Sequence, residues 1–427
     1  MLDSTAIPAT AASRLRLSRA AAFWFLSATL GLLLFASSAP SPLYIVYQQR
    51  WGFSEITLTS VFAIYALALL LALLIAGAVS DHAGRRPTLL FALGLEMIGM
   101  LLFAQAGSVV WLFVARTIQG VATGIAMGSI SAALLDLQPQ RSPRLGALLG
   151  AAAPMAGLAL GALGSGLLVQ FGPDPMRLIF WLLLAAFALS TVVAAAMPQP
   201  VQSSRPWRSS LRPSLAVPES LRVAFIATIP CLAATWALGG LILSLAPSLT
   251  ASVLGNTSHV IGGLPIFIMA GISSLMSIRL RDVHARTAAR GGLVALILGV
   301  AVTLVSLHLK SQLLFLVGAA VAGLGFGPAF AGAFRALSNR APADQRAGLV
   351  SSILAVSYLA FSLPAVAAGA VASDLGLRDT AYIYGVALIV LAAAALALSH
   401  QLEDPQSAPP AEAAAQPARG RAVEPAP

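Results

Sequence analysis

Of the 427 residues, 58% are apolar and only 9% carry a charge, and the mean hydropathy is +0.88. So few charged side chains cannot cover a water-soluble globule of this length, which excludes a soluble fold and implies an integral membrane protein. The net charge of +10 does not argue for a nucleic-acid partner, and none is expected. The arginines stand in short clusters between apolar runs, where membrane orientation places them, and not along one face.

At about 20 apolar residues per crossing, the sequence predicts helical spans near residues 20–46, 55–80, 87–106, 109–136, 144–171 and 176–197. The first run follows Arg14, Arg16 and Arg19 and ends at Ser37, Ser38 and Ala39, as a cleaved signal would. The many later spans favour an uncleaved anchor instead, with Pro40 and Pro42 marking a kink or helix end. A Pro-, Ser- and Arg-rich stretch, 198–220, reads as a cytoplasmic linker. Six more runs follow near 221–250, 258–279, 290–309, 312–337, 346–373 and 380–400. The expectation is an all-α membrane protein of twelve transmembrane helices in two pseudo-symmetric six-helix bundles, 20–197 and 221–400. A cytoplasmic segment, 1–19, precedes them, and a Pro- and Ala-rich tail, 401–427, follows and is expected to be disordered. Trp24, Tyr44, Tyr47, Trp51, Tyr382 and Tyr384 lie near span ends and read as interfacial anchors.

Basic residues orient the spans. Twenty fall on the side of the loop that carries Arg85 and Arg86, four (Arg50, Arg177, Lys310 and Arg378) fall on the other, and Arg116 alone lies within a span. Arginine-rich short loops stay in the cytoplasm, so a multi-pass protein of the cytoplasmic (inner) membrane with both termini cytoplasmic is expected. In the loop itself, Gly77 and Gly84 permit close packing and an irregular backbone, Asp81 suits the start of a helix, and Pro87 suits a first turn. Asp81-x-x-x-Arg85 recurs, degraded, as Asp282-x-x-x-Arg286 in the equivalent loop of the second half.

Two motifs carry a resemblance. G-x-x-x-D-x-x-G-R-R, at Gly77, Asp81, Gly84, Arg85 and Arg86, resembles the signature loop between helices 2 and 3 of the major facilitator superfamily, a family of secondary transporters. Arg116-x-x-Gln119-Gly120 resembles that family's R-x-x-Q-G signature on helix 4. Pro154 and Gly157 match part of the glycine-proline motif of its drug and proton exchangers, while Ala153 and Leu158 depart from it. The resemblance implies two parallel repeats of six spans with solute held between them near the midplane. It also implies a gating latch joining the loop charges to Asp136, at the cytoplasmic end of span 4. Span 1 has no Asp or Glu where many such exchangers carry one, so proton coupling would run through Glu96, Asp136 or Asp81.

Within the spans, Arg116 is the costliest residue, since a guanidinium in hydrocarbon costs about 2.5–3.5 kcal/mol on insertion scales. It is a candidate for proton coupling or for contact with an anionic solute, or it ties helices together. Glu96 is the only carboxylate near the middle of a span and reads equally as proton carrier and as structural partner. The hairpin geometry of spans 3 and 4 allows an ion pair between Glu96 and Arg116. Gly120, Gly124 and Gly128 give span 4 a smooth face for a neighbouring helix, and Pro154 and Gly157 give span 5 a small-sided, kinkable one. Gln119 and Met127 on span 4, Trp236 on span 7, and Phe326 and Phe330 on span 10 are candidate cavity contacts. No pair of histidines has metal-ligand spacing and no phosphate-binding loop or Ser/His/Asp constellation appears, so neither a metal, a cofactor nor an enzymatic activity is expected. The lone Cys231 permits no internal disulfide.

Together these features predict a monomeric secondary active transporter that moves a small organic solute across the bilayer by alternating access, with proton-coupled efflux driven by the proton gradient. A proton symporter or facilitator importing a small polar metabolite is the alternative within transport. A transporter-like receptor or sensor is the alternative of another class.

Overall fold

The computed structural model describes residues 17–142, 144–197, 215–342 and 344–399, with the backbone alone described for 76–83. The expected terminal segments beyond these limits, and most of the linker, lie outside the described residues. Helix α1 (Arg19–Ser38) starts on Ser18, whose side chain accepts from the Ala21 N–H. It ends just before Pro40, which has no backbone N–H and whose ring disfavours helix in the residue before it. The first apolar run is therefore not one span to residue 46. A separate short helix, α2 (Tyr44–Trp51), follows and stops at Gly52, whose φ of 65° is left-handed.

Next come α3 (Glu55–Ala83), α4 (Arg85–Ala104), α5 (Val109–Leu137), α6 (Leu145–Phe171) and α7 (Leu178–Ala195). The second half contains α8 (Arg222–Ser252), α9 (His259–Arg279), α10 (Ala285–Leu309), α11 (Gln312–Ser338), α12 (Arg346–Leu375) and α13 (Leu377–Leu398). Twelve of these, all but α2, are long and apolar enough to cross a membrane. The charged loop between α3 and α4 is a single residue, Gly84, with φ 90° and ψ 148°. Asp81 thus lies in the last turn of α3 and does not begin a helix, while Pro87 does sit in the first turn of α4. Helix α10 starts five residues before the expected 290, because Arg286 and Arg290 are good helix formers that extend a helix past its apolar section.

Small residues set the helix pairs. On α5, a Cβ at Gly120 would run into the Tyr65 carbonyl, and one at Gly124 would lie 2.5 Å from the Leu69 carbonyl, so α3 and α5 touch backbone to backbone. Gly157 on α6 abuts Gly31 on α1 in the same way, and Gly299 on α10 abuts Ala322 on α11. Lipid is as apolar as leucine, so such close contact, rather than apolar burial, holds membrane helices together.

The first half (α1–α7) meets the second (α8–α13) chiefly along two seams, α3 with α12 and α6 with α9. Contact is densest on the face opposite the arginine-rich one. There Thr59 of α3 presses on Gly369 of α12, Ala162 of α6 on Gly263 of α9, and Gly166 of α6 on the backbone of His259. Residues 237–250 of α8 are buried on every side. On the arginine-rich face the seam is lighter. Ser274 Oγ donates to the Ala152 carbonyl at 2.9 Å, and Arg144 pairs with Asp282 at 3.6 Å with both side chains largely in solvent.

Candidate functional site

Two clusters face each other across the middle of the molecule. In the second half, Trp236 of α8 is the hub of an aromatic wall. Its ring lies 5.0 Å from Tyr358, 5.4 Å edge-on from Phe330, 5.8 Å from Phe361 and 6.4 Å from Phe326. Gly239, one turn along α8, leaves room for the Phe326 and Phe361 rings, which a Cβ there would meet at 3.1 and 3.4 Å. Phe361 reaches across the α3–α12 seam to Phe62, 4.9 Å between ring centres. Trp236 and Phe330 stay half-buried, and the Trp236 indole N–H is enclosed with no acceptor. Such a wall presents quadrupolar faces and one donor, suited to an apolar or aromatic solute bearing an acceptor.

The sequence pointed to Trp236, Phe326 and Phe330 and missed Tyr358, Phe361, Phe62 and Tyr65. Each missed pair is spaced by three residues, Tyr358 with Phe361 and Phe62 with Tyr65, which puts both members on one helix face. That spacing was the available signal. Met127 is half-buried on α5 and is not part of the aromatic wall.

The first half contributes a polar cluster. Arg116 is fully buried, and its guanidinium donates through Nε and Nη2 to the Tyr44 hydroxyl, at 2.8 and 2.6 Å, and through Nη1 to the Ser37 carbonyl at 2.9 Å and to Gln119 Oε1 at 2.8 Å. Gln119 passes the link on, its Nε2 donating to the Ala36 carbonyl at 3.0 Å. Arg116 also lies over the rings of Tyr65, Tyr44 and Phe103, at 5.1, 5.5 and 5.8 Å. Hydrogen bonds to carbonyls and a phenol, with aromatic faces around them, replace the missing countercharge.

The ion pair allowed by hairpin geometry does not form. Glu96, also fully buried, accepts instead from the Thr123 hydroxyl at 2.6 Å, and its second oxygen is enclosed without a partner. Thr123 lies two turns beyond Arg116 on α5, and Arg116 is drawn toward the end of α1 by the Ser37 carbonyl, which the helix end leaves free as the Ser41 N–H turns to Ser38. Tyr44 and Tyr47, read from the sequence as interfacial anchors, are both 1% exposed. Tyr384 is likewise buried and donates to the Ala237 carbonyl at 2.9 Å. Proximity to a span end does not distinguish an interfacial ring from one folded under a neighbouring helix.

On the arginine-rich face, Arg85 Nε approaches Asp136 Oδ2 at 3.4 Å, and Arg19 donates to the Asp136 carbonyl at 2.9 Å. Ser129 of α5 donates to the Arg85 carbonyl at 3.0 Å, which fixes the start of α4 against α5. Arg86 is half-buried, and the side chain of Asp81 and the surroundings of Gly77 lie outside the described residues. Asp282, the repeat of Asp81, contacts Arg281 at 3.1 Å and Arg144 of the other half. Pro154 is buried within α6, Gly157 abuts Gly31, and Gly128 is half-buried on α5.

The sequence matches the profile of the Major Facilitator Superfamily over residues 24–363. No curated protein matches it. Among solved structures, the nucleoside transporter NupG is 16% identical with a TM-score of 0.67, covering 88% of this chain and 99% of its own. The peptide transporter POT in complex with sulfate is 16% identical at 0.72, covering 89% and 94%. The D-xylose-proton symporter is 18% identical at 0.63, covering 87% and 96%. At such identities the likeness is one of fold.

Proposed function

This chain belongs to the Major Facilitator Superfamily and is a multi-pass membrane transporter of that type, and on that premise we propose that it exports a small, neutral or weakly amphipathic organic solute in exchange for protons. The observation that carries the reading is the pairing of an aromatic wall around Trp236 with one enclosed carboxyl, Glu96, on the other side of the same seam. The wall offers no charge, so it favours solutes that stack over multivalent ions. Glu96 is the single carboxyl deep among the described spans, so it is the group able to take up and release a proton there.

In this reading the arginine-rich face is cytoplasmic, and the tight seams at Thr59–Gly369 and Gly166–His259 close the outer face. Solute enters from the cytoplasmic side and stacks on Trp236. The halves then rock about the midplane, opening the outer seams while closing the face that Arg144 and Asp282 bridge. The electrical part of the gradient supplies about 2.3 kcal/mol per charge per 100 mV.

The test is solute-triggered proton movement in proteoliposomes with a lumenal pH dye, screened over cationic dyes, sugars, amino acids and aromatic acids. Proton flux opposite to solute supports exchange. Glu96→Gln, which keeps the Thr123 hydrogen bond, is expected to bind solute but to lose proton-linked transport by about 100-fold or more. Unchanged coupling in that variant would remove Glu96 from the cycle. A facilitator is the second reading, favoured by the complete enclosure of Glu96, and solute movement without protons would establish it.

A further inference from the structure

Along α6, Ala162, Gly166 and Gln170 fall four residues apart, on the face that meets α9 of the other half. The first two are small and let the backbones close. A Cβ at Gly263 of α9 would lie 2.7 Å from the Ala162 carbonyl, and one at Gly166 would lie 2.8 Å from the His259 carbonyl. Gln170 comes next, where α9 begins, and its side chain crosses the seam. Its Oε1 accepts from the Ser258 hydroxyl at 2.7 Å and from the Val260 N–H at 3.2 Å. The first N–H groups of a helix have no partner within it. On α9, Ser258 accepts from the Ile261 N–H at 3.4 Å, as an N-cap does, while Val260 is capped from the other half of the molecule. Asn256 Oδ1 accepts from the Ser258 N–H at 3.1 Å and holds that cap in place.

Packing does not reinforce this corner. Beside it lies a cavity of about 30 Å³ between the halves, lined by Pro42 and Gln49 of the first and by Pro247, Asn256 and His259 of the second. Gln170 itself is exposed, so water replaces both of its donors once the halves part, and the contact can be made and broken in every cycle. Resting on the alternating-access part of the reading above, and not on protons, we infer that Gln170 is a positioning residue of the transport cycle: it latches the outer face by capping α9 across the seam, and so sets how often that face opens. The latch exists in one state only, so its whole bond energy biases the equilibrium between the two.

A spin-label pair reads that equilibrium, at Asp174→Cys on the first half and Asp374→Cys on the second, both exposed at the outer face, with Cys231→Ser removing the native thiol. Gly166→Phe supplies the open reference, because a side chain there runs into the His259 backbone and wedges the seam. In proteoliposomes, Gln170→Leu should move the distances toward that reference, raising the ratio of open to closed by about threefold or more. Gln170→Glu keeps the acceptor and adds negative charge at the positive end of α9, so it should be no more open than the unaltered protein. Unaltered distances in Gln170→Leu would overturn the latch. Gln170→Glu opening as far as Gln170→Leu would overturn it too, since the acceptor would then not be what holds the seam. A wedge variant with no longer distance would overturn the opening of the outer face itself, and this inference with it.

Discussion

Arg116 shows how a single side chain can be legible in importance and opaque in role. Its cost in hydrocarbon marks it from sequence, but of the four hydrogen bonds it makes, three join α5 to the end of α1 and to α2 and one goes to Gln119 on α5 itself, with no carboxylate and no place in the aromatic wall. Those bonds need a planar fork, which lysine lacks. Arg116→Lys should leave at least one buried acceptor unpaired and destabilise the protein by about 2–4 kcal/mol, read as earlier thermal unfolding in detergent, with solute affinity kept. Normal stability with lost affinity would instead return Arg116 to solute contact. Glu96 makes the same point in reverse. Depth along the hairpin allowed Arg116 as its partner, but a residue's angle around its helix decides who meets whom, and Thr123 is the one that faces it.

At the scale of elements, glycine spacing was readable and glycine function was not. Gly120, Gly124 and Gly128 recur every four residues on α5, and Gly146, Gly150, Gly157 and Gly161 line α6. The structure separates those that admit a neighbour from those that do not. Gly124→Ala would place its Cβ against the Leu69 carbonyl and 2.9 Å from Ala72, whereas Gly150 has nothing within 4 Å. Gly124→Ala is expected to cost about 1–3 kcal/mol by forcing α3 and α5 apart, and Gly150→Ala to be neutral or stabilising by up to about 1 kcal/mol. Paired thermal unfolding curves in one detergent would distinguish them, and equal shifts would refute the assignment. Helix ends follow the same division. Pro40 and Gly84 announce a break in the sequence, but whether a break makes a kink, a one-residue turn or a new short helix depends on what the next segment packs against.

For the whole molecule, the decisive arrangement is the closed outer seam between α3 and α12. Thr59 and Gly369 touch there, and Cys231, the only native cysteine, is buried and far along the chain from both. Oxidising the Thr59→Cys/Gly369→Cys double variant should stop transport almost completely, and reductant should restore it to the level of the never-oxidised variant, which is the reference because a Cβ at Gly369 also meets the Glu55 carbonyl and Ile56 Cα at 2.9 Å. Undiminished transport after quantitative cross-linking would mean that this seam does not part during the cycle. The sequence by itself determined twelve spans and the superfamily, because each rests on local quantities: apolar length and residues fixed at short spacing. Only the tertiary structure decided that Tyr44 serves Arg116, that Thr123 holds Glu96, and that Phe62 and Phe361 meet between the halves. These helices are apolar nearly all round, and lipid and protein neighbours look alike to leucine, so no hydropathy pattern states which face turns inward. That choice belongs to the small residues and the few polar groups, and it is made only when the helices pack.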